Sequence, residues 1–246
     1  MRVSLDSNAW ENIFGAETGD GLLIRAAMAA GNLEGFTCDA SFRIEAVRKR
    51  DRGTYFEQPY LGSRFNGLVV RDGKPFFSMS FGPDDQKHPG LPEAQIAKLK
   101  IARAAGVKLI RGEAWMGLPA PPEFSGSDFY VVEDAEAKLA RQQRQLDASA
   151  MIDARGVGRA AFDTAGGWTT RPTDPAADAK LIKACAEWAD GELVAAHIAY
   201  QHDILCTNDQ ARSAGSSVFD LTNRSWLTAT FGVTFMTVEE LASEVS

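Results

Sequence analysis

Four acidic residues occupy positions from which the carboxylates of an α/β chain converge. Asp6 directly follows the alternating run Arg2–Leu5, and Asp209 follows the apolar run Ile204–Cys206. Glu45 falls in the first turns of a helix expected after a strand at Gly35–Cys38. Asp190 precedes Gly191 at an expected break between two helical patterns. Ligands of doubly wound sheets bind beyond the carboxyl ends of the strands, so acids that follow strands meet there. Carboxylates gathered without matching Lys or Arg repel one another, and a divalent cation relieves that repulsion. An all-oxygen donor set suits Mg2+ or Mn2+. Such cations serve phosphate-ester hydrolysis by activating water and stabilising the attacking and leaving oxygens. Each acid also has a plainer reading on its own. Asp6 and Asp209 can cap helices, Glu45 can be a solvated helix charge, and Asp190 can be a turn residue beside Gly191.

The elements that must position these acids fall into three stretches. Residues 1–52 read as an α/β unit: strand Arg2–Leu5, a turn at Asp6-Ser7-Asn8, and a helix over Gly21–Ala30 stopped by Gly31-Asn32. Strand Gly35–Cys38 and a helix over Ser41–Arg50 follow. From Ala176 the same rhythm returns. Leu181, Cys185 and Trp188 form a core-facing helical stripe, and a strand ends at Thr207-Asn208-Asp209. A last strand and helix close the pattern, with Thr237 and Glu240 at capping-box spacing. The middle, 53–175, differs in texture. Asn66–Phe81 reads as a hairpin around Asp72-Gly73, followed by an amphipathic helix over Pro92–Ala105 and a strand-like Val107–Ile110. A long helix over Val132–Ala154 follows. This stretch is expected to be an insertion, packed on a sheet edge or over the site.

Composition narrows the class. At 246 residues with 45% apolar and 24% charged side chains, the chain can bury one large core. A formal charge of -7 argues against a protein that coats DNA without specificity, while local patches still bind phosphate. No apolar run reaches the length of a membrane span, and the start MRVSLD is not a signal peptide. Cys38, Cys185 and Cys206 make no zinc pattern, and a reducing cytoplasm is the simpler setting.

The pieces Val3–Asn8 (VSLDSN), Gly35–Glu45 (GFTCDASFRIE), Asp190–His197 (DGELVAAH), Asp203–Asp209 (DILCTND) and Gly232–Leu241 stand in an order that resembles the PIN-domain nucleases. The resemblance covers 1–52 and 176–246. It implies a three-layer α/β/α sandwich with a central parallel sheet, interrupted here by the large insertion. It also implies Mg2+- or Mn2+-dependent hydrolysis of single-stranded RNA, with Asp6, Glu45, Asp190 and Asp209 as catalytic, metal-holding acids. Asn8 and Thr207 match flanking polar positions, and Thr207 is placed to hold the Asp209 turn. Glu192 competes with Asp190 for the third place. Two residues apart on one helix, they lie about 200° apart around its axis and cannot both line one cleft. Many members of the family are toxins held by a small antitoxin protein. That partner is therefore an expectation here, as is a homodimer, although the insertion weighs against the short toxin form.

Arg43, Arg48 and Lys49 on the Glu45 helix are candidates for guiding a phosphate backbone, with a solvated helix end as the equal alternative. Phe76, Phe77, Phe81 and Trp115 either stack bases or build the core of the insertion. Gly156–Ala161 resembles a dinucleotide-binding glycine pattern but follows a helix, so it reads as a loop. Two rival functions remain. One is an inactive PIN-like scaffold that binds RNA or a protein. The other is a haloacid-dehalogenase-like phosphatase with Asp6 as nucleophile, which expects an acid where Asn8 stands.

Overall fold

The computed structural model describes residues 1–15, 19–45, 63–71, 74–81, 88–113, 120–124, 127–166, 174–209 and 217–246. Its strands are β1 (Arg2–Leu5), β2 (Glu34–Cys38), β3 (Ser63–Arg71), β4 (Lys74–Phe81), β5 (Lys108–Ile110), β6 (Ile204–Cys206) and β7 (Phe235–Met236). Five of them form one all-parallel sheet in the order β5-β2-β1-β6-β7. Val3 lies opposite both Gly35 and Ile204, which makes β1 the centre of the sheet.

Alternation along these strands builds a core on each side. Val3, Leu5, Leu109, Ile204 and Cys206 face one core with Ile24, Leu99 and Leu241. Phe36, Cys38, Ile110 and Leu205 face the other with Ile152, Phe162, Trp188 and Leu227. Helices α1 (Asp20–Ala29), α2 (Glu93–Ala104) and α7 (Val238–Glu244) supply the first side. Helices α3 (Ala135–Asp153), α4 (Arg159–Thr164), α5 (Pro175–Tyr200) and α6 (Leu221–Phe231) supply the second. The molecule is therefore an α/β/α sandwich, as the resemblance implies, with a parallel sheet covered on both faces. Its helix starts are chemically marked. Asp134, Asp174 and Asp220 each accept from the backbone N–H three residues on, and Thr237 with Glu240 forms the expected capping box.

The structure bears on three expectations. The stretch 53–175 holds a hairpin that stands apart from the main sheet and a strand that extends that sheet at its edge. Among the described residues, strands β3 and β4 pair only with each other, antiparallel, with Arg71 opposite Lys74 across the expected turn, whose residues 72–73 lie outside those described. Strand β5, by contrast, pairs with β2 at the sheet edge, and α2, α3 and α4 pack in the two cores. The helix expected over Ser41–Arg50 begins as a wide turn at Ser41–Glu45, and 46–50 lie outside the described residues. Finally, the break expected at Asp190-Gly191 is absent, because α5 runs unbroken from Pro175 to Tyr200. A Cβ on Gly191 would stand 2.7 Å from the Gly158 Cα. The glycine is there to let the α3–α4 connection lie against the helix, not to end it.

A polar cluster interrupts the apolar surroundings of β1. The hydroxyl of Ser4, fully buried on β1, joins the Nδ1 atoms of His202 (2.8 Å) and His197 (3.0 Å). The Nε2 of His202 is buried with no partner among the described residues. Burial pulls the pKa of His197 down to about 4, against the opposing charge of Asp203. Burial, helped by the charges of Arg2 and His197, pulls that of His202 to about 2.

Candidate functional site at the carboxyl edge of the sheet

The chain leaves β1 toward β2 on one side, and β6 joins β1 from the other. The crevice between the carboxyl ends of β1 and β6 is thus the topological switch point, where open α/β sheets bind ligands. Asp6 and the segment Thr207–Asp209 stand at it. The Asp6 N–H donates to the carbonyl of Cys206 at 3.0 Å, continuing the strand pairing to the edge.

Asp6 is 2% exposed. Its Oδ1 accepts from the Ser7 N–H at 2.6 Å, so the capping role is real. Its Oδ2 accepts from Thr207 Oγ1 and from Asn8 Nδ2, each at 2.6 Å. Burial raises its pKa from the ordinary 3.8 to about 6. The hydrogen bonds from Thr207 and Ser7 oppose the rise, and the charge of Asp209 adds to it. Thr207 Oγ1 also accepts from the Asp209 N–H at 3.0 Å, so this hydroxyl holds the Asp209 turn as expected. Asn8 links the two halves of the crevice, donating to Thr207 at 3.1 Å and accepting from the Asn208 N–H at 2.9 Å. Arg224 on α6 braces the same turn. Its Nη2 donates to the Asp209 carbonyl, its Nε donates to Phe219 O at 2.9 Å, and its guanidinium lies 4.7 Å from the centre of the Phe235 ring.

A second acidic group stands farther along the same edge, beyond β2 and β5. Asp39 directly follows β2 and is buried. Its Oδ1 accepts from the Gly112 N–H at 2.7 Å, and its Oδ2 accepts from Arg43 Nε at 3.1 Å and from the Tyr130 hydroxyl at 3.2 Å. Glu192, 6% exposed on α5, accepts from Trp188 Nε1 at 3.1 Å and from the Glu113 N–H. Burial raises its pKa from 4.5 to about 8, and the charges of Glu113 and Asp39 add to the rise. Glu192 and Glu113 also border a cavity of about 400 Å3 with Asp147, Asp153 and Arg159.

The expected quartet is therefore divided. Asp6 and Asp209 come together with Asn8 and Thr207. Asp190 is half-buried inside an unbroken helix, so the break expected beside it does not exist. The backbone of Glu45 ends the turn after β2, while its carboxylate lies outside the described part of the chain. Arg43 is tied to Asp39, and Arg48 and Lys49 lie outside the described residues. Asp39 and Glu113 were not foreseen. Asp39 carries the same mark as Asp6 and Asp209, an acid immediately after an apolar strand. No protein-family model, curated protein or solved structure matches this chain.

Among the described residues no three His, Cys, Asp or Glu side chains are placed to hold a metal ion together. The crevice offers a pair of acids instead. One of them is a buried carboxylate whose charge its neighbour opposes, held in place by the Asn8 amide and the Thr207 hydroxyl. Mg2+ is commonly bound by one or two protein carboxylates with water completing the shell, so this donor set fits a hard divalent cation.

Proposed function

We propose that this chain is a Mg2+- or Mn2+-dependent ribonuclease acting on single-stranded RNA, with Asp6 and Asp209 at its centre. The observation that carries the reading is the burial of Asp6 beside Asp209 at the switch point, fixed through both carboxylate oxygens. Asp6 and Asp209 would hold the cation, which when bound supplies the activation of water and the neutralisation of phosphate charge. Asn8 and Thr207 fix the Asp6 carboxylate and the Asp209 turn relative to one another. Preorganisation of this kind leaves little reorganisation for the reaction itself. With both of its oxygens committed to three donors, Asp6 is better placed as a fixed charge than as a nucleophile. Ser4 and its two histidines are sealed within a sheet face. Of the two helix acids, Glu192 is the better third member, because its carboxylate reaches the ends of β2 and β5.

The test is cleavage of a labelled single-stranded RNA with Mn2+ by the wild type, Asp6→Asn and Asp209→Asn, together with thermal melts with and without the metal. Both variants are expected to lose cleavage while remaining folded. Their metal-induced rise in melting temperature should shrink. Equal metal-induced shifts in wild type and variants would sink the metal site.

A further inference from the structure

A cavity of about 230 Å3 opens beside the Asp6 crevice. Ser7 and Asn8 form its near wall, and Asn8 is the residue whose amide holds Asp6. Trp10 and Phe42, packed edge to face at 5.3 Å, form an aromatic wall. Thr37, Ser41 and Gln95 line the remainder. The Ser41 hydroxyl and the Gln95 carboxamide line the cavity and make no hydrogen bond to another described residue. Both are therefore open to the polar edge of a bound group. The indole N–H of Trp10 is buried and has no partner among the described residues.

Size and charge define that group. An apolar cavity of about 150 Å3 accommodates benzene, so this one has room for a substituted heteroaromatic ring. No charged side chain lines it, in contrast to the acidic cavity beside Glu192. It therefore suits a neutral, flat group with donors and acceptors at its edge and not a phosphate.

We infer that this cavity holds one nucleobase of the bound strand, walled by Trp10 and Phe42 and read at its edge by Ser41 and Gln95. The inference rests on the ribonuclease reading for its strand, and it adds to that reading a base preference at one position. A carboxamide and a hydroxyl can each donate and accept, so a base whose edge complements them is favoured over one that leaves them unpaired.

The test measures binding, so that it stands apart from catalysis. The four nucleoside 5′-monophosphates and ribose 5-phosphate are titrated calorimetrically into the intact chain in EDTA. At least one nucleotide is expected to bind about tenfold or more tighter than ribose 5-phosphate, a difference of about 1.4 kcal/mol. Gln95→Ala and Ser41→Ala are each expected to erode that margin. The inference is overturned if all four nucleotides bind no tighter than ribose 5-phosphate, or if the margin survives in the double variant. Base discrimination without any Mn2+-dependent RNA cleavage would sink the ribonuclease reading and keep the pocket. Cleavage without base discrimination would do the reverse.

Discussion

Replacing His202 with Phe should flatten the acid side of the stability profile. Both histidines of the Ser4 cluster are held neutral in the fold, with pKa values near 4 for His197 and near 2 for His202, against an ordinary 6.5. Their folded values are depressed, so the stability they allow is fully present above pH 6.5 and is lost as pH falls below it. The reason is that the unfolded chain binds the protons first. At pH 4.5 each group lies two units below its ordinary value. At about 1.4 kcal/mol per unit this amounts to roughly 2.5 kcal/mol each, or about 5 kcal/mol for the pair. Phe keeps the ring contact with Phe36, now 4.1 Å between centroids, and removes the unpaired Nε2, at the cost of one bond to Ser4. That lost bond costs about the same at both pH values and cancels. Urea unfolding at pH 7.5 and 4.5 should therefore show a loss in the variant smaller by about 2–3 kcal/mol than in the wild type. Acid limbs that run parallel within about 0.5 kcal/mol would refute the argument, and carboxylates elsewhere would then set the acid limit.

Other changes test other joints of the structure. Gly191→Ala should cost about 1–3 kcal/mol in urea unfolding, because its methyl would press on the backbone at Gly158; a neutral substitution would show that the α3–α4 connection yields. In RNA cleavage with Mn2+, Glu192→Gln should lose at least about a hundredfold, near 2.7 kcal/mol of barrier, while Asp190→Asn keeps most of its activity; the opposite order would restore Asp190 as the third acid. Arg224→Ala should lower both the melting temperature and the cleavage rate by freeing the Asp209 turn. Arg224→Lys should not restore them, since one ammonium cannot reach the Asp209 and Phe219 carbonyls together; full rescue by Lys would show that charge alone matters.

Much of the sandwich was legible because strands and caps carry local marks. The alternation at Arg2–Leu5, the apolar run Ile204–Cys206 and the Thr237/Glu240 pair each specify their own element within a few residues. Long-range choices left weaker traces. Nothing local distinguishes Lys108–Ile110 as an edge strand of the main sheet from a strand of an insertion, because pairing with β2 is decided by a partner some seventy positions away. Asp190-Gly191 looked like a stop because a glycine inside a helix usually weakens it; here the cost is offset by a backbone contact that only the fold reveals. The Ser4–His197–His202 cluster was equally hidden. A polar residue in the middle of a strand and two histidines near a helix end announce no partnership until the sheet brings them together.

The place of β1 at the centre of the sheet also imposes an order in time. Asp6 and Thr207 are in hydrogen-bond contact yet 201 positions apart in the chain. During synthesis at about 5–20 residues per second, some 10–40 s pass between the appearance of the first and the second. For most of that interval β1 has its β2 neighbour available, while the flank that β6 will cover stays open. Thr207, Asn208, Asp209 and the Arg224 brace all arrive after the wait. Whatever chemistry the crevice performs is therefore silent in the growing chain until β6 closes against β1.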